Sequence, residues 1–150
     1  MAKNLTDRQR QIEANARMVE ALDGSIRGTL MPLALAGADV WLPARACRWV
    51  AQSGLLGYYR QERFDVSRAQ WELGRPWSLG RRMGGDCDDH TAWLIALARR
   101  LRAKRLVAIY WRKDGRLLHV SPEIDGEIIE SIPGMRRKRP SPLDVDRVRR

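Results

Sequence analysis

Ile12, Val19 and Leu22 recur at helical spacing behind Thr6 and Gln9, which read as a capping box, and Gly24 stops the pattern; the expectation is a helix over residues 6–23. Pro43 fits the first turn of a second helix, ARACRWVAQ, that runs to Gly54 with Cys47 and Val50 at i, i+3 spacing, so Cys47 reads as core. Residues 58–83 lose the periodicity, and RPWSLGRR supplies Pro and Gly punctuation, which marks a loop-rich approach to Cys87. The signal sharpens at Leu94, Leu97, Ala98 and Leu101, spaced i, i+3, i+4, i+7, and predicts a helix from 88 to about 103 with one buried face. Three strand-like runs come after it, RLVAIYWR, RLLHVSPEI and EIIESIP. They are joined by Asp114-Gly115 and Asp125-Gly126, dipeptides that favour two-residue hairpin turns, so an antiparallel meander is expected after the helix.

Composition changes this picture in three ways. A chain of 150 residues with 44% hydrophobic content and six tryptophans has apolar volume enough for one core, and no repeat divides it. Cys47 and Cys87 show neither CxxC nor Cys/His metal spacing, so no disulfide framework and no zinc site is expected, and a reduced, cytoplasmic setting fits best. The N-terminal MAKNLTDRQRQ holds no apolar signal segment, and the longest apolar run, Leu30 to Leu42, is broken by Pro32 and Asp39, which predicts no export signal and no membrane span. The formal charge of +10 favours anionic partners. Much of it sits in Arg136, Arg137, Lys138 and Arg139, ahead of a segment with few apolar groups, so residues 136–150 read as a solvated basic tail. No aromatic is interleaved there as a stacking platform, which leaves a weak nucleic-acid or anion contact as its expected role.

The chemistry concentrates in GGDCDDHTAW, residues 84–93, which places Cys87 at the start of the apolar helix. A helix N-terminus carries about half a positive charge, which favours a thiolate over a thiol, and its amides can hold an oxyanion. Two histidines are available as a base: His90, three residues along the same helix and poorly placed, and His119 in the middle strand. If Asp125-Gly126 form a two-residue turn, 124 pairs with 127, Ser121 faces Glu130 and His119 faces Ile132. His119, Ser121, Glu123, Ile128, Glu130 and Ile132 then share one face, and Glu130 is a diagonal neighbour able to orient the imidazole. Asp125 is accounted for by the turn alone. Asp86, Asp88 and Asp89 fit helix-entry caps better than metal ligands, so neither metal nor cofactor is expected. Trp93 and Trp111 read as core, while Trp77, in the loop before the cysteine, reads as a groove wall or as simple packing.

The run GGDCDDHTAWLIALARRLRAKRLVAIYW, followed by HV, a DG turn and another strand, resembles the catalytic core of the transglutaminase-like superfamily over residues 76–133. Its most specific part, GDCDD joined to an apolar helix, recurs in small bacterial and phage proteins of this kind. The resemblance implies an α+β, papain-like fold: N-terminal helices over 1–75, then a catalytic core over 76–135 with a nucleophile helix and a small antiparallel sheet. Cys87 and His119 fall on motif positions. Family members show a tryptophan and then an aspartate after the turn, where this chain reads GEIIESIPG, so Glu130 is the nearest acid on the right face. The resemblance further implies a cysteine-dependent acyl transfer on a protein or peptide, by hydrolysis or by crosslinking, with Trp77, Asp86 and Asp88 on the substrate side. HVSPEIDGEIIES is similar also to cysteine-histidine hydrolases that cut cell-wall peptides. The competing reading is an inactive core that binds nucleic acid or an acidic assembly partner.

Overall fold

A computed structural model describes residues 7–53, 56, 87–113, 116–131 and 144–150. The expected loop of 58–83, the Asp114-Gly115 turn and the basic cluster of 136–139 lie outside the described residues.

Helix α1 spans Asp7–Arg27 and runs through Gly24 instead of ending there. Ile26 is the reason, because it is fully buried beside Met18, Val19 and Leu22. Burying such a side chain gains about 1.5–3 kcal/mol, more than the roughly 1 kcal/mol that an interior glycine costs a helix. A short helix, α2, Leu30–Ala36, occupies the broken apolar run, to which periodicity assigns no element. Pro32 is tolerated because its missing N–H falls in the first turn, and Gly37, at φ 108°, ends the helix. The amides of Gly37 and Ala38 return to the carbonyls of Ala34 and Leu33. Helix α3, Pro43–Ser53, matches its expected start and buries Ala46, Cys47 and Val50.

Helix α4, Cys87–Arg100, begins at the cysteine. The spacing predicts one buried face, yet every side chain from Ala92 to Ala98 is withdrawn from water. The cause is that α4 packs on α1 and α3 to one side and on the sheet to the other, and a helix covered all round is apolar all round. Among the described residues, no helix is long and apolar enough to cross a membrane.

The sheet comprises β1, Leu106–Lys113; β2, Arg116–Ile124; β3, Glu127–Ile128; and β4, Asp144–Arg149, in the order β3-β2-β1-β4. Asp125 and Gly126 take φ of 49° and 87°, the positive pair of a type I′ turn, and Ile124 faces Glu127 as expected. Strand β3 is shorter than the predicted EIIESIP, however, and stops at Ile128. Pro122 explains this: Ile129 N–H donates to its carbonyl at 3.0 Å, but proline has no N–H to return the bond.

The largest correction concerns the supposed tail. Residues 144–149 form the sheet's fourth strand, antiparallel to β1 from Arg112↔Asp144 to Val107↔Arg149. Arg150 N–H continues the ladder to the Leu106 carbonyl at 2.9 Å, and Val148 packs on the core. Ladder pairing uses backbone groups, so a strand reading DVDRVR, four of its six residues charged, shows little in its side-chain pattern. A domain limit at residue 135 therefore excludes a strand of the sheet. Deleting residues 144–150 should lower the unfolding free energy by at least about 3 kcal/mol, since several bonds of about 0.5–1.5 kcal/mol are lost together. Urea denaturation checks this, and an unchanged midpoint would show β4 to be dispensable.

Candidate active site

A side-chain anchor one turn beyond Cys87 ties helix α4 to β2. Thr91 Oγ1 donates to the Val120 carbonyl at 3.0 Å, tying the helix to the residue beside His119. Cys87 precedes Thr91 by four residues on the same helix face, about 6 Å back along the axis. Its side chain is half-buried, whereas Cys47 is wholly buried and donates its Sγ–H to the Leu94 carbonyl at 3.4 Å. Burial pushes the Cys47 thiol far above its ordinary range. The two thiols thus sit in opposite environments.

On β2, His119 and Glu130 form a buried pair, with Nε2 and Oε2 separated by 2.6 Å and side chains only 7% and 3% exposed. The bonds around them run in one direction. The indole N–H of Trp111 can only donate, and it reaches Ser121 Oγ at 2.8 Å. The Ser121 hydroxyl in turn donates to Glu130 Oε1 at 2.7 Å. Glu130 is held as an acceptor on one oxygen, so its other oxygen suits the Nε2–H of His119, and Nδ1 becomes the nitrogen left for proton exchange. The same-face argument from the hairpin puts Glu130 next to His119, and the side chains do meet there, although the ladder stops two residues earlier.

Outside the ladder, Glu130 is fixed by its neighbours. Ile129 is buried and bonded to Pro122, while Ser131 Oγ lies 2.7 Å from His90 Nδ1. His90 thus fastens the segment after β3 to helix α4. Trp111, expected as plain core, is half-buried and serves as the first donor of the chain; its signal was its diagonal place across from Ser121, two strand positions from Trp111↔His119. Trp93 is core, as expected. Asp125 is occupied elsewhere, its Oδ1 accepting the Arg105 amide at 2.8 Å. Asp88 lies in the first turn of α4, with its side chain outside the described residues, as are Trp77 and Asp86. Asp89 is buried and turned to the interior. Among the described residues, no three His, Cys, Asp or Glu side chains group as a metal site requires.

No family model, no curated protein and no solved structure matches the chain.

The Cys47 environment sets a dependence on pH. Above about pH 8.5 the unfolded chain loses a thiol proton that the folded chain retains, so stability falls as pH rises, by up to about 1.4 kcal/mol per unit. Cys47→Ala should remove that component, and urea unfolding of both proteins at mildly and strongly alkaline pH measures it. Parallel losses in the two would mean that the buried thiol ionises in place.

Proposed function

We propose that the protein is a cysteine-dependent acyl-transfer enzyme of the transglutaminase-like type, acting on an amide or peptide bond of a protein or peptide. The observation that carries this reading is the His119–Glu130 pair, oriented by Ser121 on a strand that Thr91 fastens one turn from Cys87. A structural histidine needs a partner. It does not need one held as a one-way acceptor, on a strand tied to a cysteine-bearing helix.

In this reaction the Cys87 thiol passes its proton to His119 Nδ1, and Glu130 stabilises the imidazolium through Nε2–H. The thiolate attacks the carbonyl carbon, and the electron pair moves onto oxygen, where the backbone amides of Cys87 and Asp88 at the start of α4 are the donors. Collapse breaks the C–N bond; the leaving amine takes the proton from Nδ1 and a thioester remains. Water, or an amine, then gives its proton to Nδ1 as it attacks the thioester carbon. The acyl group departs, and the proton returns to Cys87 sulfur. Trp77, Asp86 and Asp88 are the candidates for the substrate side, being close to the nucleophile in sequence.

The test is alkylation of Cys87 by iodoacetamide across pH, read by mass spectrometry. Its midpoint should lie below the ordinary thiol value of about 8.5 and return to it in His119→Ala. Glu130→Gln keeps the shape but removes the charge, and should raise the midpoint by about one unit, or about 1.4 kcal/mol, with little change in melting. Asp125→Asn should leave the midpoint unchanged. An ordinary midpoint in the parent protein, insensitive to His119, would remove the basis for an enzyme; a shift in Asp125→Asn alone would mean that Glu130 is the wrong acid.

A further inference from the structure

Two cavities adjoin each other where β4 ends, and neither is lined by Cys87, His119 or Glu130. The larger, about 410 Å³, is walled by Arg17 and Glu20 of α1, Arg99 of α4, and Arg149 and Arg150. The smaller, about 250 Å³, is walled by Lys104 and Arg105 before β1 and by the same Arg149 and Arg150. Folding thus gathers six cationic side chains from distant parts of the chain, with Glu20 as the single acidic side chain among the described lining residues.

Little of that charge is spent within the protein. Arg99 meets Glu20 at 2.6 Å, but the pair is 43% and 68% exposed, a setting in which ion pairs contribute about 0–1 kcal/mol. Arg150 donates to the Ile12 carbonyl at 2.6 Å and to the Tyr110 hydroxyl at 3.1 Å. Both acceptors are uncharged, so the guanidinium is fixed in place while its charge persists. Among the described residues, Arg17, Lys104, Arg105 and Arg149 have no carboxylate partner. Asp125 takes the backbone amide of Arg105 and does not line the smaller cavity. Gathered like charges repel, and an anion in the cleft relieves that repulsion.

We propose that this cleft binds the phosphate backbone of a nucleic acid without reading its sequence. Guanidinium groups match phosphate oxygens two at a time, and two concave sites sharing one cationic wall suit successive phosphates of one strand. No aromatic lines either cavity, so bases have no surface to stack on and the contact is to phosphate. A lipid surface is the poorer fit, because among the described residues no exposed large apolar side chain lines this cleft: Met31, Leu35, Trp41 and Leu42 belong to α2 and the segment after it, and Val145 lies at the other end of β4 from Arg149. The net charge of +10 adds long-range attraction for a polyanion. Neither the acyl-transfer reading nor the Arg136–Arg139 cluster is needed for such binding.

Fluorescence anisotropy of the full chain with a labelled, mixed-sequence single-stranded oligonucleotide tests it, with salt varied. Binding should weaken linearly in log–log form as salt rises. Arg17→Ala/Arg149→Ala, two exposed positions, should reduce the slope by roughly 1.4 and weaken binding about tenfold, and Arg17→Glu/Arg149→Glu should weaken it further. Urea midpoints and Cys87 alkylation should stay at parental values in both, which separates loss of the cleft from loss of fold or of the other site. Three results would overturn the proposal: no binding at low salt; binding lost on changing Arg136 to Arg139 to alanine but unaffected by the cleft variants; or polyglutamate or anionic vesicles displacing the oligonucleotide through the same arginines at equal charge.

Discussion

Helix α4 is enclosed on every side from Asp89 to Ala98, and that enclosure governs the rest of the molecule. A helix between α1 and α3 on one side and a sheet on the other leaves each polar side chain on it needing a partner inside the protein. Thr91 finds the Val120 carbonyl and His90 finds Ser131. One bond reaches the strand that carries His119, the other the segment after β3 that carries Glu130. Satisfying the buried helix therefore sets the position of the candidate site, and Cys87, at the start of the helix, is left half-buried.

Burying His119 against Glu130 carries an electrostatic cost that good geometry must offset. The Trp111–Ser121–Glu130 chain supplies that geometry by assigning each hydrogen a single place, since an indole N–H cannot accept. A carboxylate locked in this way keeps the imidazole in one tautomer. The same chain spans β1, β2 and the segment after β3, so the pair's orientation is shared by two strands and the segment that follows the hairpin.

Much of the sheet and of this pairing was legible from residue order, for reasons that can be named. Asp125-Gly126 demands positive φ at two successive positions, which fixes the register of the flanking strands, and strict alternation then puts Glu130 beside Ser121 and His119. Helix α3 and the start of α4 were legible from Pro43 and from the apolar run behind Cys87. The extension of α1 past Gly24 was not, because tertiary burial of Ile26 outweighs a local preference. Nor was β4, whose pairing is written in backbone groups and whose charges suggested solvent. Ending β3 at Ile128 depended on a missing N–H in Pro122 on the opposite strand, a constraint that reading one strand at a time does not reveal.

Strand β4 has a consequence for how the chain reaches its native state. Arg150 bonds the carbonyl of Ile12 across 138 positions, and β1 acquires its second neighbour only from residues 144–149. Contacts so distant in sequence require closure of a very long loop before they return any stabilisation, which slows folding. During synthesis the helices can collect around α4 early, while β1 keeps a bare edge until residues 144–149 emerge from the ribosome. That interval is when the chain is most open to pairing with the wrong strand, and the exposed charges of Arg147 and Arg149 then serve a second purpose, discouraging the finished edge from recruiting another chain.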